Sequence, residues 1–271
     1  MSKLPGKTVL ITGGASGIGL GLAERLVDDG AQRVILWDID QDAVDREAAR
    51  LTADGHEVIA MKVDVTDTAA MEVAALDLDS QHIQVDILVN NAGIIVGKAF
   101  VDHTAADISR TMAINAEAPM QLTRLLLPGM LKRGSGHIVN IASAAGLVSN
   151  PNMSVYCASK FSLTGWSNAL RLEMGRSKSG VKVTTVAPFY INTGMFDGVK
   201  SPIIPILEPD DAVRRIARAI RKNKIHLRMP WIVKLVPLLR GVLPTRVFDK
   251  VAGDWFGMHR SMDEFRGRLG P

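Results

Sequence analysis

Tyr156 and Lys160 stand four residues apart in Tyr156-Cys157-Ala158-Ser159-Lys160. On a helix that spacing puts a phenol and an ammonium group on one face, within reach of one site. A free phenol titrates at about pH 10, too high for a base near neutrality. A positive charge beside it favours the phenolate and brings the group toward working pH, so Tyr156 is a candidate acid/base. Ser143 ends an apolar run and offers a hydroxyl that can hydrogen-bond an oxygen on which charge develops.

A second constellation suits a phosphate-bearing ligand. The apolar run Thr8-Val9-Leu10-Ile11 leads into Thr12-Gly13-Gly14-Ala15-Ser16-Gly17-Ile18-Gly19, and then into an apolar helical pattern. Glycines here let the chain turn tightly and approach a pyrophosphate. The N–H groups and dipole of the helix start favour its negative charge. Gly13, Ser16, Gly17, Ile18 and Gly19 are therefore candidate cofactor-binding residues. Asp38 ends the second strand, 19 residues after Gly19. Its carboxylate can accept hydrogen bonds from both ribose hydroxyls of an adenosine and would repel a 2′-phosphate. No Arg or Lys occupies Trp37, Ile39 or Asp40, so NAD is preferred over NADP.

Elements of the right kind surround these residues. Residues 7–11, 33–37, 57–63, 85–89, 136–141 and 181–187 read as buried parallel strands. Helical patterns cover 17–29, 42–53, 69–81, 105–132 and 154–177, with a later helix over 210–221 and a short strand near 225–229. Strand–helix alternation at this spacing predicts a doubly wound parallel sheet with helices on both faces. A chain of 271 residues without repeat or linker fits one α/β domain, 1–271.

The ordered motifs resemble the short-chain dehydrogenase/reductase family. The glycine turn matches its Thr-Gly-x-x-x-Gly-x-Gly, and Asp64-Val65 its adenine-binding pair. Asn90-Asn91-Ala92-Gly93 matches its Asn-Asn-Ala-Gly, and Asn115 its mid-helix active-site asparagine. Ser143 and the Tyr156/Lys160 pair complete six motifs, over roughly residues 7–198. The resemblance implies a Rossmann-type fold and hydride transfer between an alcohol or carbonyl and NAD. Lys160 would hold the nicotinamide ribose, and its charge together with that of oxidised nicotinamide would lower the Tyr156 pKa. Asn115 would hold a water linking Lys160 to solvent, and Thr193 would bond the nicotinamide carboxamide. Asp64, Val65, Asn91, Ala92, Gly93, Pro188 and Ile191 complete the implied cofactor contacts. The family usually has glycine after Pro188; here Phe189 follows, and its side chain is expected to shape the nicotinamide side.

Within the family, the order Ile191 to Gly198, Leu207-Glu208-Pro209, Met229-Pro230, Leu243-Pro244 and Met262-Asp263 is similar to retinol dehydrogenases and lipid-droplet 17β-hydroxysteroid dehydrogenases. This similarity implies a lipophilic alcohol or carbonyl as substrate. It also implies a homodimer or homotetramer built on 105–132 and 154–177. Residues 189–207, mixing apolar residues with Gly194, Gly198, Pro202 and Pro205, are the expected substrate lid. A silent NAD-binding sensor or scaffold, and a dehydrogenase for a small non-lipid alcohol, are the alternatives.

Charge is uneven. Residues 213–271 hold 14 Lys/Arg against 4 Asp/Glu, a net +10, while residues 1–212 carry −6. No zinc-finger or RNP-type pattern accompanies the cations, so no nucleic-acid partner is expected. Within the C-terminal extension, 229–271, residues 229–244 form the most hydrophobic stretch. The stretch is shorter than the roughly 20 residues that span a bilayer, and three prolines interrupt it. Residues 230–244 suit peripheral contact with a membrane surface, a lid or an oligomer contact equally. Six histidines without ligand spacing and one cysteine exclude a disulfide framework and predict no metal. Cys157 reads as a small buried hydrophobe. The short polar start, before Thr8, leaves no room for a signal peptide, and a cytoplasmic location is expected.

Overall fold

In this computed structural model, seven apolar runs form strands: β1 (Thr8–Thr12), β2 (Arg33–Asp38), β3 (Glu57–Lys62), β4 (Ile87–Asn90), β5 (Gly136–Ile141), β6 (Val181–Pro188) and β7 (His226–Met229). Residues 4–267 are described; the outer ends of the expected 1–271 domain and 229–271 extension lie outside them. The strands make one sheet in the order β3-β2-β1-β4-β5-β6-β7, and every pairing is parallel. The order reverses between β1 and β4. In such a sheet the crevice outside the carboxyl ends of the strands at that point receives the ligand.

Alternation along β1 builds both faces. Val9 and Ile11 pack with the buried sides of α1 (Gly17–Asp28), α2 (Gln41–Ala53) and, further along the sheet, α7 (Pro209–Arg221). Leu10 points the other way, into a core with α3 (Thr68–Ser80), α5 (Ala118–Arg133) and α6 (Ser154–Arg176). The sheet is thus doubly wound, with helices on both faces.

The expected helix over 105–132 is divided. It runs as α4 (Ala105–Met112), a π-helical turn (Ala113–Glu117) and then α5. Pro119 supplies the reason: it has no N–H to give the carbonyl of Asn115 four residues back. The chain accommodates the lost bond by taking a wider turn. Beyond β7, short helices α8 (Val236–Val242) and α9 (Thr245–Asp249) lead to a tail that folds back over the carboxyl end of the sheet. Among the described residues, no helix is long and apolar enough to cross a membrane.

Candidate active site

The glycine-rich turn is held from two sides. Asn91 donates its side-chain amide to the carbonyls of Thr12 and Gly13, at 2.9 and 3.1 Å. The Thr12 hydroxyl accepts from the backbone N–H groups of Asn91 and Ala92, both at 3.0 Å. On the other side, Asp38 accepts the N–H of Ala15 at 3.0 Å. A Cβ at Gly19 would lie 2.0 Å from the Gly13 carbonyl oxygen, so only glycine lets α1 start this close beneath the turn.

One cleft joins nearly all the expected site residues. Gly13, Ser16, Gly17 and Ile18 line its turn end, and Asp38, Asp64 and Val65 its β2–β3 side. Asn91, Ala92 and Gly93 form its middle, and Pro188, Ile191 and Thr193 its far end beside Ser143, Tyr156 and Lys160. Gly19 and Asn115 do not line it. Gly19 lies under the turn, and Asn115 is buried behind the wall. The cleft fits a dinucleotide on its own features: a turn open to close backbone approach at one end and an acid at the tip of β2.

At the far end the Ser143 hydroxyl lies beside the Tyr156 phenol, close enough to favour its ionised form. The same Ser143 oxygen accepts the N–H of Ala145 at 3.1 Å, which fixes its direction. Lys160 donates to the carbonyl of Ile141 at 3.0 Å and sits 5.7 Å from the centre of the Tyr156 ring. Asn115 locks the adjoining loop. Its side-chain amide donates to Ile94 O at 2.8 Å and Ser159 Oγ at 3.0 Å, and its carbonyl oxygen accepts Ile94 N–H at 2.9 Å.

Burial governs the electrostatics here. It raises the Tyr156 pKa well above the usual phenol value, and the Ser143 hydroxyl opposes it only in part. Burial also pulls the Lys160 pKa down to about 8. Sequence reasoning expects Lys160, with oxidised nicotinamide, to lower the phenol. The protein's own groups instead leave the phenol protonated. Among these groups burial sets the sign, because both side chains are almost fully removed from water; the charge of oxidised nicotinamide, which the expectation includes, would act against it.

Four contributors carry no strong sequence signal. Thr12 clamps the turn, and Ser159 receives Asn115; both sit inside motifs whose neighbours attract the attention. Phe196 stands edge-on to Tyr156, and Phe265 packs on Gly97, where a Cβ would meet its ring at 2.5 Å. Those two contacts come from irregular chain that returns across a long separation. Phe189 lines the cleft as expected, with its ring 4.5 Å from that of Tyr190. Cys157 is buried behind Tyr156, and burial raises its thiol pKa. Among the described residues, no group of three His, Cys, Asp or Glu side chains could hold a metal.

Residues 7–203 match the family model described as short chain dehydrogenase. The chain is 35% identical to epidermal retinol dehydrogenase 2 of Mus musculus over 272 residues, covering 98% of this chain and 87% of that protein. It is 33% identical to estradiol 17-beta-dehydrogenase 11 of Macaca fascicularis, covering 90% and 81%. A short chain dehydrogenase/reductase from Burkholderia phymatum, solved in complex with NAD, superposes with a TM-score of 0.80 at 27% identity, covering 89% of this chain and 95% of that one.

Proposed function

The chain belongs to the short-chain dehydrogenase family, and we propose that it transfers a hydride between NAD and a lipophilic secondary or allylic alcohol or its carbonyl. One observation carries the reading: Ser143, Tyr156 and Lys160 meet at one end of a cleft whose other end holds the glycine turn and Asp38. Gly13, Gly17 and the start of α1 would take the pyrophosphate, Asp38 the adenosine ribose, and Asp64 and Val65 the adenine side. Lys160 would hold the nicotinamide ribose, and Thr193 the carboxamide. NAD bound there supplies the hydride acceptor. Tyr156 exchanges the substrate proton, and Ser143 hydrogen-bonds the substrate oxygen as charge develops. The protonated phenol that burial favours is ready to donate to a carbonyl. Asn115 keeps the Ile94 loop in place beside Lys160 and would hold a water leading from that lysine to solvent.

The lipophilic substrate is supported by the wall around Tyr156, where Phe196, Phe265, Met262 and Ile95 are packed. The printed names of the relatives, a retinol dehydrogenase and an estradiol dehydrogenase, agree with it. Residues 189–207 would be the lid. We also propose peripheral membrane contact through 230–244. Trp231, Leu235, Leu238 and Val242 follow a 4-3-4 helical spacing and stay exposed, with exposed Lys234 and Arg246 nearby. A homodimer or homotetramer through 105–132 and 154–177 belongs to the same reading, supported by exposed Leu131 and Leu172 in those segments.

The test is reduced-nicotinamide absorbance with NAD or NADP and a panel of all-trans-retinol, estradiol, testosterone and long-chain secondary alcohols. Turnover with NAD on one lipophilic class is expected. Tyr156→Phe should lower kcat by about a hundredfold or more while NAD still binds. Activity with NADP alone would overturn the Asp38 argument. NAD binding without turnover on any of them would favour a small-alcohol dehydrogenase or a silent NAD-binding protein.

A further inference from the structure

The lid and the tail are joined through their backbones. Ser261 O accepts the N–H of Lys200 at 3.1 Å, and Asp197 O accepts the N–H groups of Arg266 and Gly267 at 2.9 and 3.2 Å. Ion pairs Lys200–Glu264 and Arg266–Asp197 repeat the connection outside. At Gly198 a Cβ would lie 2.0 Å from the Glu264 carbonyl oxygen, so the two segments touch backbone to backbone.

Beneath this seam lies a buried polar triad drawn from three distant parts of the chain. Asn150 follows β5, Tyr190 follows β6, and Ser261 belongs to the tail. Asn150 Nδ2 donates to Ser261 Oγ at 2.8 Å and to the Tyr190 oxygen at 3.3 Å. The Tyr190 and Ser261 oxygens are 2.9 Å apart, and Ser261 Oγ donates to Met258 O at 2.9 Å. With Ser261 donating there, the Tyr190 hydroxyl has two acceptors within reach, Ser261 Oγ and, at 3.6 Å, Met153 Sδ. All three residues are buried, where an unmade hydrogen bond is costly; of their side-chain polar atoms, only Asn150 Oδ1 is without a partner among the described residues.

Tyr190 does not line the cleft, but its ring meets that of Phe196 edge-on, with centroids 5.0 Å apart. Phe196 in turn stands edge-on to Tyr156, at 6.1 Å and 81°. The order Ser261, Tyr190, Phe196, Tyr156 therefore links the tail to the acid/base through direct contacts.

We propose that Tyr190 is a positioning residue. Latched by Asn150 and Ser261, it holds Phe196 against Tyr156 and makes lid and tail a single wall that selects bulky apolar alcohols. The specificity part rests on the alcohol-dehydrogenase reading above; the latch itself does not.

Tyr190→Phe keeps the ring and removes only the hydroxyl, and Ser261→Ala removes the other end of the bond. Two readouts apply to the full chain. Hydrogen exchange should quicken about fivefold, the factor one neutral hydrogen bond is worth, at both Lys200 and Arg266 in either variant. The KM for all-trans-retinol should rise about fivefold relative to that for cyclohexanol. Faster exchange in the tail without the lid overturns the latch. A fall in kcat with an unchanged ratio of the two KM values assigns the triad a structural role and overturns the positioning. A wild-type protein that oxidises neither alcohol, with exchange still quickened at both segments in the variants, defeats the substrate reading and supports the latch.

Discussion

The carboxylate of Asp38 accepts the backbone N–H of Ala15 at 3.0 Å, so the tip of β2 and the glycine-rich turn are fixed to one another. The acid has a second oxygen, which lies 3.3 Å from the N–H of Asp40. Its position is therefore set before any ribose arrives. Asp38→Asn removes the charge while keeping an acceptor for Ala15. The KM for NAD should rise about tenfold or more, as loss of a charged hydrogen-bond acceptor implies, and the preference against NADP should shrink by at least as much. Steady-state kinetics with both cofactors measures this. An unchanged ratio of the two kcat/KM values would remove Asp38 from cofactor choice.

Local spacing makes some of this site readable in advance. Tyr156 and Lys160 share a helix face by arithmetic, and Asp38 and the glycine turn each end a strand that hydrophobicity alone reveals. Both cores also follow from alternation along β1. The rest depends on distance in the sequence. Phe196 reaches Tyr156, and Ser261 reaches Tyr190, through irregular chain without periodicity. The raised phenol pKa follows from burial on all sides, which no single segment encodes. The π-helical turn was concealed differently: 105–132 has good helical periodicity, and Pro119 alone marks the break.

His137 ties acid stability to the sheet. It lies on β5, opposite Lys182 of β6, and its Nε2 is 2.8 Å from Thr184 Oγ1. Burial first, and the Lys182 charge second, lower its pKa to about 3. The unfolded chain takes up this proton below about pH 6.5, whereas the folded chain does so only near 3. Stability is therefore lost as pH falls through that window, by about 2 kcal/mol between pH 6.5 and 5 from this group alone. Urea unfolding at the two pH values should show it, and His137→Asn should flatten the slope. An equal slope in the variant would assign the acid sensitivity to other groups.

The exposed stripe of α8 and the preceding turn predicts a lipid-dependent partition. Trp231, Leu238 and Val242 are 67%, 63% and 70% exposed. The full chain should co-sediment with anionic vesicles at low salt. Trp231→Ser with Leu238→Ser should weaken that binding by about tenfold or more, since each large apolar side chain contributes about 1.5–3 kcal/mol when buried. Turnover of a soluble alcohol should not change. Wild-type protein that stays in the supernatant rules out the contact.

Pro119, which has no N–H for the Asn115 carbonyl, gives rise to the π-helical turn and through it to the placement of Asn115. An ordinary helical turn across 113–118 would take one residue fewer. It would rotate the preceding chain by about 100° relative to α5 and carry the Asn115 amide away from Ile94 and Ser159. Pro119→Ala returns an N–H to the position that faces the Asn115 carbonyl. The loop from Gly93, which packs within 3.5 Å of Lys160 Nζ where a Cβ would stand, then loses its anchor. We expect kcat to fall about tenfold, the low end for disturbed proton transfer, with the KM for NAD changing less than twofold. Hydrogen exchange at Ile94 should quicken in the same variant, because its N–H is the donor to Asn115. Unaltered kcat and unaltered exchange together would show that packing against α6 fixes the wide turn without help from the proline.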